Sequence, residues 1–271
     1  MELELKQNTL DCFEMAADFA VTQEESAEMI VPDSSPDISR IVSVEGEVLI
    51  RSADVRDGKA EISGVVQLSL LYIPEKTPVL QVLEYSMPFM MVEDCPKECS
   101  VLRTVLHAEE LHARTLNPRK IQMQCRIGGN VMGYRQISLP YTSEVETEDR
   151  FAVEKLMHQE CVTVITSLEE RDFSHEEILH LPQNRGAAVM IYASRVRTRL
   201  NEAKIIGKRA IVKGDCFAEF LLRYASGRCE SSSFELPISH IVEIDAPQEA
   251  ALQVALQLTS VEPKETGSAP L

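Results

Sequence analysis

The sequence contains no tryptophan, and aromatic residues make up only 5% of it. Sugar-binding modules lay aromatic faces against pyranose rings, so carbohydrate recognition has little to work with here; a cell-wall-binding β module stays open only as an alternative. Basic residues are also scarce, with 27 Lys and Arg against 43 Asp and Glu, for a net charge of −16. Such a chain repels phosphate backbones and anionic lipid, which argues against non-specific nucleic-acid binding and favours partners with basic surfaces. Long apolar runs are missing: Val65-Val66 and Leu70–Ile73 fall far short of the roughly 18–20 residues of a membrane-spanning helix. Met1-Glu-Leu-Glu-Leu5 has neither the basic nor the apolar region of a secretory leader, and the seven cysteines are odd in number. Reduced thiols in a cytoplasm are therefore expected. The phosphate-cradling Gly-Lys-Ser/Thr loop, a GxGxxG turn after a strand and the GxSxG elbow are all absent, leaving nucleotide and acyl-transfer chemistry without support.

What is present is a repeat. A shift of 150 places Val31-Pro32 on Leu181-Pro182, Ile41 on Ile191 and Gly64 on Gly214 without a gap, and Pro88 meets Pro237 after one deletion. Alternation matches between these anchors. Ile62, Gly64, Val66, Leu68, Leu70 and Tyr72 share one parity, and Val212, Gly214, Cys216, Ala218, Phe220 and Leu222 occupy the equivalent positions. Period-two alternation puts alternate side chains on one sheet face, so each run predicts a half-buried strand. The preceding strand alternates too, through Val44, Gly46, Val48 and Ile50 and again through Val196, Thr198 and Leu200. Asp57-Gly58 joins the first pair; it suits a type I′ hairpin, whose two central residues need positive φ, and Ile206-Gly207-Lys208 takes that place in the second copy. The shared glycines within the second strands predict a bulge or a close backbone approach.

Further strands are expected at 101–108, 121–127, 161–166 and 252–259, with no long helical period to compete. The fold class that follows is mainly β, two tandem sandwich-like or barrel-like modules, the second divergent and truncated. The organisation read from the sequence is a β module over 1–137, an acidic linker over 138–150, a second module over 151–262 and a flexible tail over 263–271. A missing terminal strand would expose a sheet edge, and self-association through that edge is expected.

Few residues suggest chemistry. Cys95 and Cys99 precede His107 and His112, a set of the size that holds zinc, but without a CxxC and with a strand between them. A metal- or thiol-dependent enzyme built on these four residues is the alternative from another class. His175 and His180 superficially resemble a zinc-protease pair, yet five-residue spacing turns them roughly 140° apart on a helix. Asp33 with Asp37 and Glu109 with Glu110 could serve acid-base work, but so acidic a sequence produces such pairs by chance. No cofactor, metal site or catalytic residue is expected.

Two stretches are more specific. Val31-Pro-Asp-Ser-Ser-Pro-Asp-Ile-Ser-Arg-Ile41 carries two Pro-Asp pairs, in which Asp33 and Asp37 are suited to turn and cap positions with Arg40 as an ion-pair partner. Arg114-Thr-Leu-Asn-Pro-Arg-Lys120 is a basic tight turn in an acidic chain, with Arg114, Asn117, Arg119 and Lys120 as structural or partner-contact residues. Together with the G-K-x-x-x-x-G run leading to L-L-Y and the later P-F, these motifs resemble the SPOCS domain of spore coat morphogenetic proteins of the SipL type, found in endospore-forming Firmicutes. The resemblance covers about residues 3–137; the second copy retains Leu181-Pro182, Gly214, Leu221-Leu222 and Leu236-Pro237 but has Gln183–Gly186 in place of the Asp-rich turn and no Asn-Pro-Arg-Lys element. It implies a non-enzymatic mother-cell protein that helps attach coat layers at the developing spore surface through protein contacts. Relatives often carry a LysM module that contacts the ATPase SpoIVA, and no such module is read here, so spore coat or morphogenetic proteins are the expected partners without a SpoIVA contact being carried over.

Overall fold

Alternating apolar and polar side chains are realised as nine antiparallel strands in the computed structural model, which describes residues 3–147, 161–181, 188–244 and 250–263. None of the described residues is helical. Strands β1 (Leu3–Ile30), β5 (Val101–Asn117) and β6 (Lys120–Thr147) form one sheet in the order β1-β6-β5. A second sheet runs β2 (Ile38–Arg56), β3 (Lys59–Pro74), β4 (Gln81–Asp94), and a third runs β7 (Ala188–Ile206), β8 (Arg209–Tyr224), β9 (Cys229–Glu243). The mainly β expectation is borne out, as separate sheets rather than a closed barrel.

The first two sheets share one apolar core. Ile62, Val66, Leu68, Leu70 and Tyr72 of β3 are buried against Ile121, Met123, Cys125 and Ile127 of β6, all in a single cluster. Full burial of such side chains is worth roughly 1.5–3 kcal/mol each, which makes the two central strands the energetic spine of this sandwich. The buried parity of β3 is the one the sequence alternation predicts, and in β8 the same parity holds from Ala210 to Leu222. At the β2–β3 turn both Asp57 and Gly58 have positive φ, 49° and 76°, as a type I′ hairpin requires. In the β7–β8 turn only Gly207 does, at 62°.

The repeat extends to the irregularities of the backbone. Pairing slips between Ile38/Arg40, Ile41/Ser43 and Ile50/Ser52 in the second sheet, and between Ala188/Met190, Ile191/Ala193 and Leu200/Glu202 in the third. All three bulges recur at the same offset of 150. Pro88 lies opposite Val65, and Pro237 opposite Asp215, its equivalent. The bulge beside Ile50 explains the shared glycine: a Cβ on Gly64 would collide with the Leu49 carbonyl oxygen and come within 2.7 Å of the Phe89 ring, and a Cβ on Gly214 would strike the Arg199 carbonyl. Close approach, not turn geometry, requires glycine there.

Three expectations need correction. Residues 138–147 continue β6, laddered to β1 from Ser138 opposite Asp11 to Thr147 opposite Leu3, with the exposed Glu144 held at 3.9 Å from Lys6 across the pair, which offsets some of the acidity. The rest of the expected linker, Gln183–Gly186 and Lys264–Leu271 lie outside the described residues. Residues 161–166 are not a strand: Ile165 makes an isolated bridge with Phe13, whose N–H donates to its carbonyl at 2.7 Å. Residues 252–259 keep the predicted alternation of exposure but enter no ladder. By the repeat these segments correspond to parts of β1 and β5, which never pair with each other in the first sheet; each bonds to β6 between them. No described strand takes the place of β6 beside the third sheet.

Gly64→Ala is expected to cost about 1–3 kcal/mol, and Gly214→Ala to lower the melting temperature as well, because in both a methyl group meets backbone oxygen; thermal unfolding of the two variants checks this.

Candidate functional site

Proline and aspartate chemistry builds the most specific constellation. Pro32 and Pro36 fix φ near −65° on either side of Asp33-Ser-Ser35, and the Ser35 N–H closes a turn on the Pro32 carbonyl at 2.9 Å. The connection between β1 and β2 is thereby shaped so that two carboxylates flank a row of carbonyls. Facing it, the β5–β6 turn is set by Asn117, whose side-chain oxygen accepts the Arg119 N–H at 2.9 Å. Two backbone bonds stitch the connections together: Val31 N–H to the Arg119 carbonyl and Ile38 N–H to the Pro118 carbonyl, both 2.9 Å.

Arg119 then fills the space between them. Its Nη1 donates to the Ser35 carbonyl at 2.9 Å and to Asp37 Oδ1 at 3.0 Å; its Nη2 donates to the Val31 carbonyl and to Asp33 Oδ1, each at 2.9 Å. A planar guanidinium supplies these diverging donors in one fixed fork, which an ammonium cannot do. The Asp37 carbonyl accepts the Glu75 N–H at 3.0 Å, tying the turn to the end of β3. From below, the buried Tyr72 hydroxyl donates to the Pro36 carbonyl at 3.1 Å. Burial pushes the Tyr72 pKa up, against a smaller opposing pull from the Arg119 charge, so the hydroxyl keeps its proton and remains a donor.

The two motifs singled out in the sequence therefore meet, with one exchange of partner. Asp33 and Asp37 pair with Arg119, and Arg40 enters no ion pair among the described residues; its exposed side chain follows a bulge on β2 instead. Arg114 donates through Nε to Gln122 Oε1 at 2.8 Å, and Lys120 pairs with Glu28 at 2.5 Å. The stretch is thus largely satisfied within its own sandwich, and Tyr72, which the sequence showed only as the end of an alternating strand and of the L-L-Y motif, is the member not read there as part of the site. The chemistry this arrangement performs is mechanical: it fastens the end where the β1–β2 connection crosses from one sheet to the other.

Other constellations come apart. Cys95 and Cys99 are buried beneath Gly133, where a Cβ would lie 3.4 Å and 2.8 Å from their sulfurs. His107 and His112 stand on the surface of β5, 62% and 73% exposed, beside Glu109 and Glu110. No three His, Cys, Asp or Glu side chains converge as a metal site among the described residues. Burial, reinforced by the hydrogen bond and charge of Cys99, pushes the Cys95 pKa up to about 11, opposite to the shift that activates a nucleophilic thiol. Burial likewise takes Cys125 to about 11, with the Glu25 charge adding to it. His175 and His180 lie in non-helical chain, with His175 beside Glu177 at 3.8 Å, and Glu110 is engaged by Arg126 at 2.8 Å.

Comparison with known families follows this geometry. The family model described as SipL, SPOCS domain matches residues 37–106, from Asp37 of the arginine-bound turn through β2, β3 and β4 into β5. The SPOCS resemblance is borne out over that stretch, which gives the chain a sporulation-associated domain. No curated protein and no solved structure matches.

Replacing Arg119 by alanine is expected to lower unfolding free energy by about 2 kcal/mol, with lysine recovering only part of it, as measured by denaturant unfolding. Thiol alkylation at neutral pH should label the exposed Cys161 and Cys229 quickly, Cys216 more slowly, and Cys12, Cys95, Cys99 and Cys125 only on unfolding; mass mapping of labelled peptides reads the order.

Proposed function

We propose that this chain is a non-enzymatic assembly protein of the endospore envelope, its β modules acting as a scaffold that holds other coat or morphogenetic proteins through protein contacts. The observation that carries this reading is the SPOCS-domain match over residues 37–106. The architecture is compatible with it. Strand and turn residues are spent on stiffness, and the Asp33–Asp37–Arg119 lock fixes one end of the sandwich rather than leaving it open for a substrate. Surface charge gives the partner a character: with a net charge of −16, a basic protein surface is the complementary one. Among the described residues no helix is long and apolar enough to cross a membrane. The site of action on this reading is the mother-cell side of the developing spore surface.

The enzyme alternative draws no support from a Cys95 thiol whose pKa burial pushes up, or from two buried cysteines set apart from the surface histidines. A fluorescent fusion expressed in a sporulating host is expected to form a ring around the forespore and to bring down coat proteins from lysates made at that stage. Diffuse signal throughout sporulation would contradict the proposal.

A further inference from the structure

The stretch from Ala250 to Val261 contains no charged residue, in a chain whose acidic side chains outnumber the basic ones 43 to 27. The comparable uncharged run Ile62–Pro74 lies in β3, a central strand laddered on both edges. Residues 250–261, by contrast, have no ladder among the described residues. Leu252, Val254, Leu256 and Leu258 are half-buried, while Ala251, Gln253, Ala255, Gln257 and Thr259 are exposed. Leu256 rests on the third sheet: its Cδ1 would lie 3.2 Å from a Cβ on Gly214, and the Thr198 hydroxyl of β7 donates to its carbonyl at 3.5 Å. This segment has a strand's alternation of burial, but among the described residues no strand ladders with it as β6 does with β5. Another sign of incompleteness is at the far end of β8 in the same sheet, where the buried Tyr224 hydroxyl has no hydrogen-bond partner among the described residues. Unladdered apolar edges of this kind recruit another strand.

We propose that the recruited strand is the same segment of a second copy of this chain, the two pairing antiparallel about a twofold axis at Ala255. The sequence is self-complementary in that register. Leu252 falls opposite Leu258 and Val254 opposite Leu256, all on the face turned toward the sheets; Gln253 falls opposite Gln257, and Ala255 opposite Ala255, on the outer face. Residues directly opposite in an antiparallel pair share a face, so apolar meets apolar and amide meets amide along the whole segment. Charge selects this place for the contact. Two copies of so acidic a chain repel each other over most of their surfaces, and an uncharged stretch of twelve residues lets the backbones approach without opposed carboxylates. A twofold contact of one patch with itself is also closed, giving a dimer and not a filament.

The contact supplies a molecular basis for the scaffold reading and rests on that reading only for its biological use. Its test is solution mass by sedimentation equilibrium, on the full chain from micromolar to hundreds of micromolar. The wild type is expected to double its mass with concentration. Ala255→Glu and Ala255→Lys each set like charges face to face across the axis and should stay monomeric, with unchanged thermal unfolding of the monomer because the position is exposed. An equimolar mixture of the two should regain the doubled mass, since opposite charges then face each other. A wild type of single-chain mass throughout, a dimer that persists in both charged variants, or an open-ended series of masses would each overturn the proposal. Its fate is separable from that of the envelope reading: a monomeric wild type that still forms a forespore ring removes this contact alone, and a dimer that forms no ring removes the envelope role alone.

Discussion

One guanidinium group closes the sandwich. Arg119 reaches two backbone carbonyls and two carboxylates contributed by the seven residues that carry the chain from one sheet to the other. A crossover of this kind has backbone groups that no strand ladder can satisfy, and leaving them unpaired near a core would cost roughly 1–3 kcal/mol each. The proline-fixed turn presents those carbonyls together, the Asn117 cap aims Arg119 at them, and Tyr72 supports the turn from the core. Remove the fork and the ends of β1, β2 and β6 lose a common fastening.

The two copies of the repeat show what depends on that fastening. The third sheet reproduces the second down to its three bulges and its close-approach glycine, so a three-stranded meander of this sequence pattern forms without the lock. Among the described residues no second ladder stands beside it. Among the described residues, 161–166 and 252–259, which correspond to parts of β1 and β5, enter no ladder, and the buried Tyr224 hydroxyl has no hydrogen-bond partner. Sheet pairing is cooperative through the central strand: flanking strands hold their place by bonding to it, not by their own alternation.

That distinction also explains what could be read from the sequence. Local signals translated directly. Asp57-Gly58 gave the I′ turn, the parity of Ile62 to Tyr72 gave the buried face, and the shared glycines gave a close backbone contact, because each is decided within a few residues or by a period. The motifs of the candidate site were visible as unusual strings, but their union was not, since Arg119 lies 86 residues from Asp33 and 82 from Asp37 while Arg40 is near in sequence and faces elsewhere. Alternation over 252–259 described side-chain environment and could not report whether a neighbouring strand existed, and over 161–166, where only Val164 is half-buried, it described neither. The acidic residues 138–147 resembled a linker because an exposed strand end and a solvated linker have the same composition.

The account turns on whether the arginine fork couples the two connections energetically or merely lies between them. A double-mutant cycle on Arg119→Ala and Asp37→Asn, followed by denaturant unfolding of the four proteins, measures this directly. Solvent reaches both side chains, which are 34% and 41% exposed, so the coupling is expected near about 1 kcal/mol and not at the values of a dry ion pair. Strictly additive effects of the two substitutions would contradict the lock.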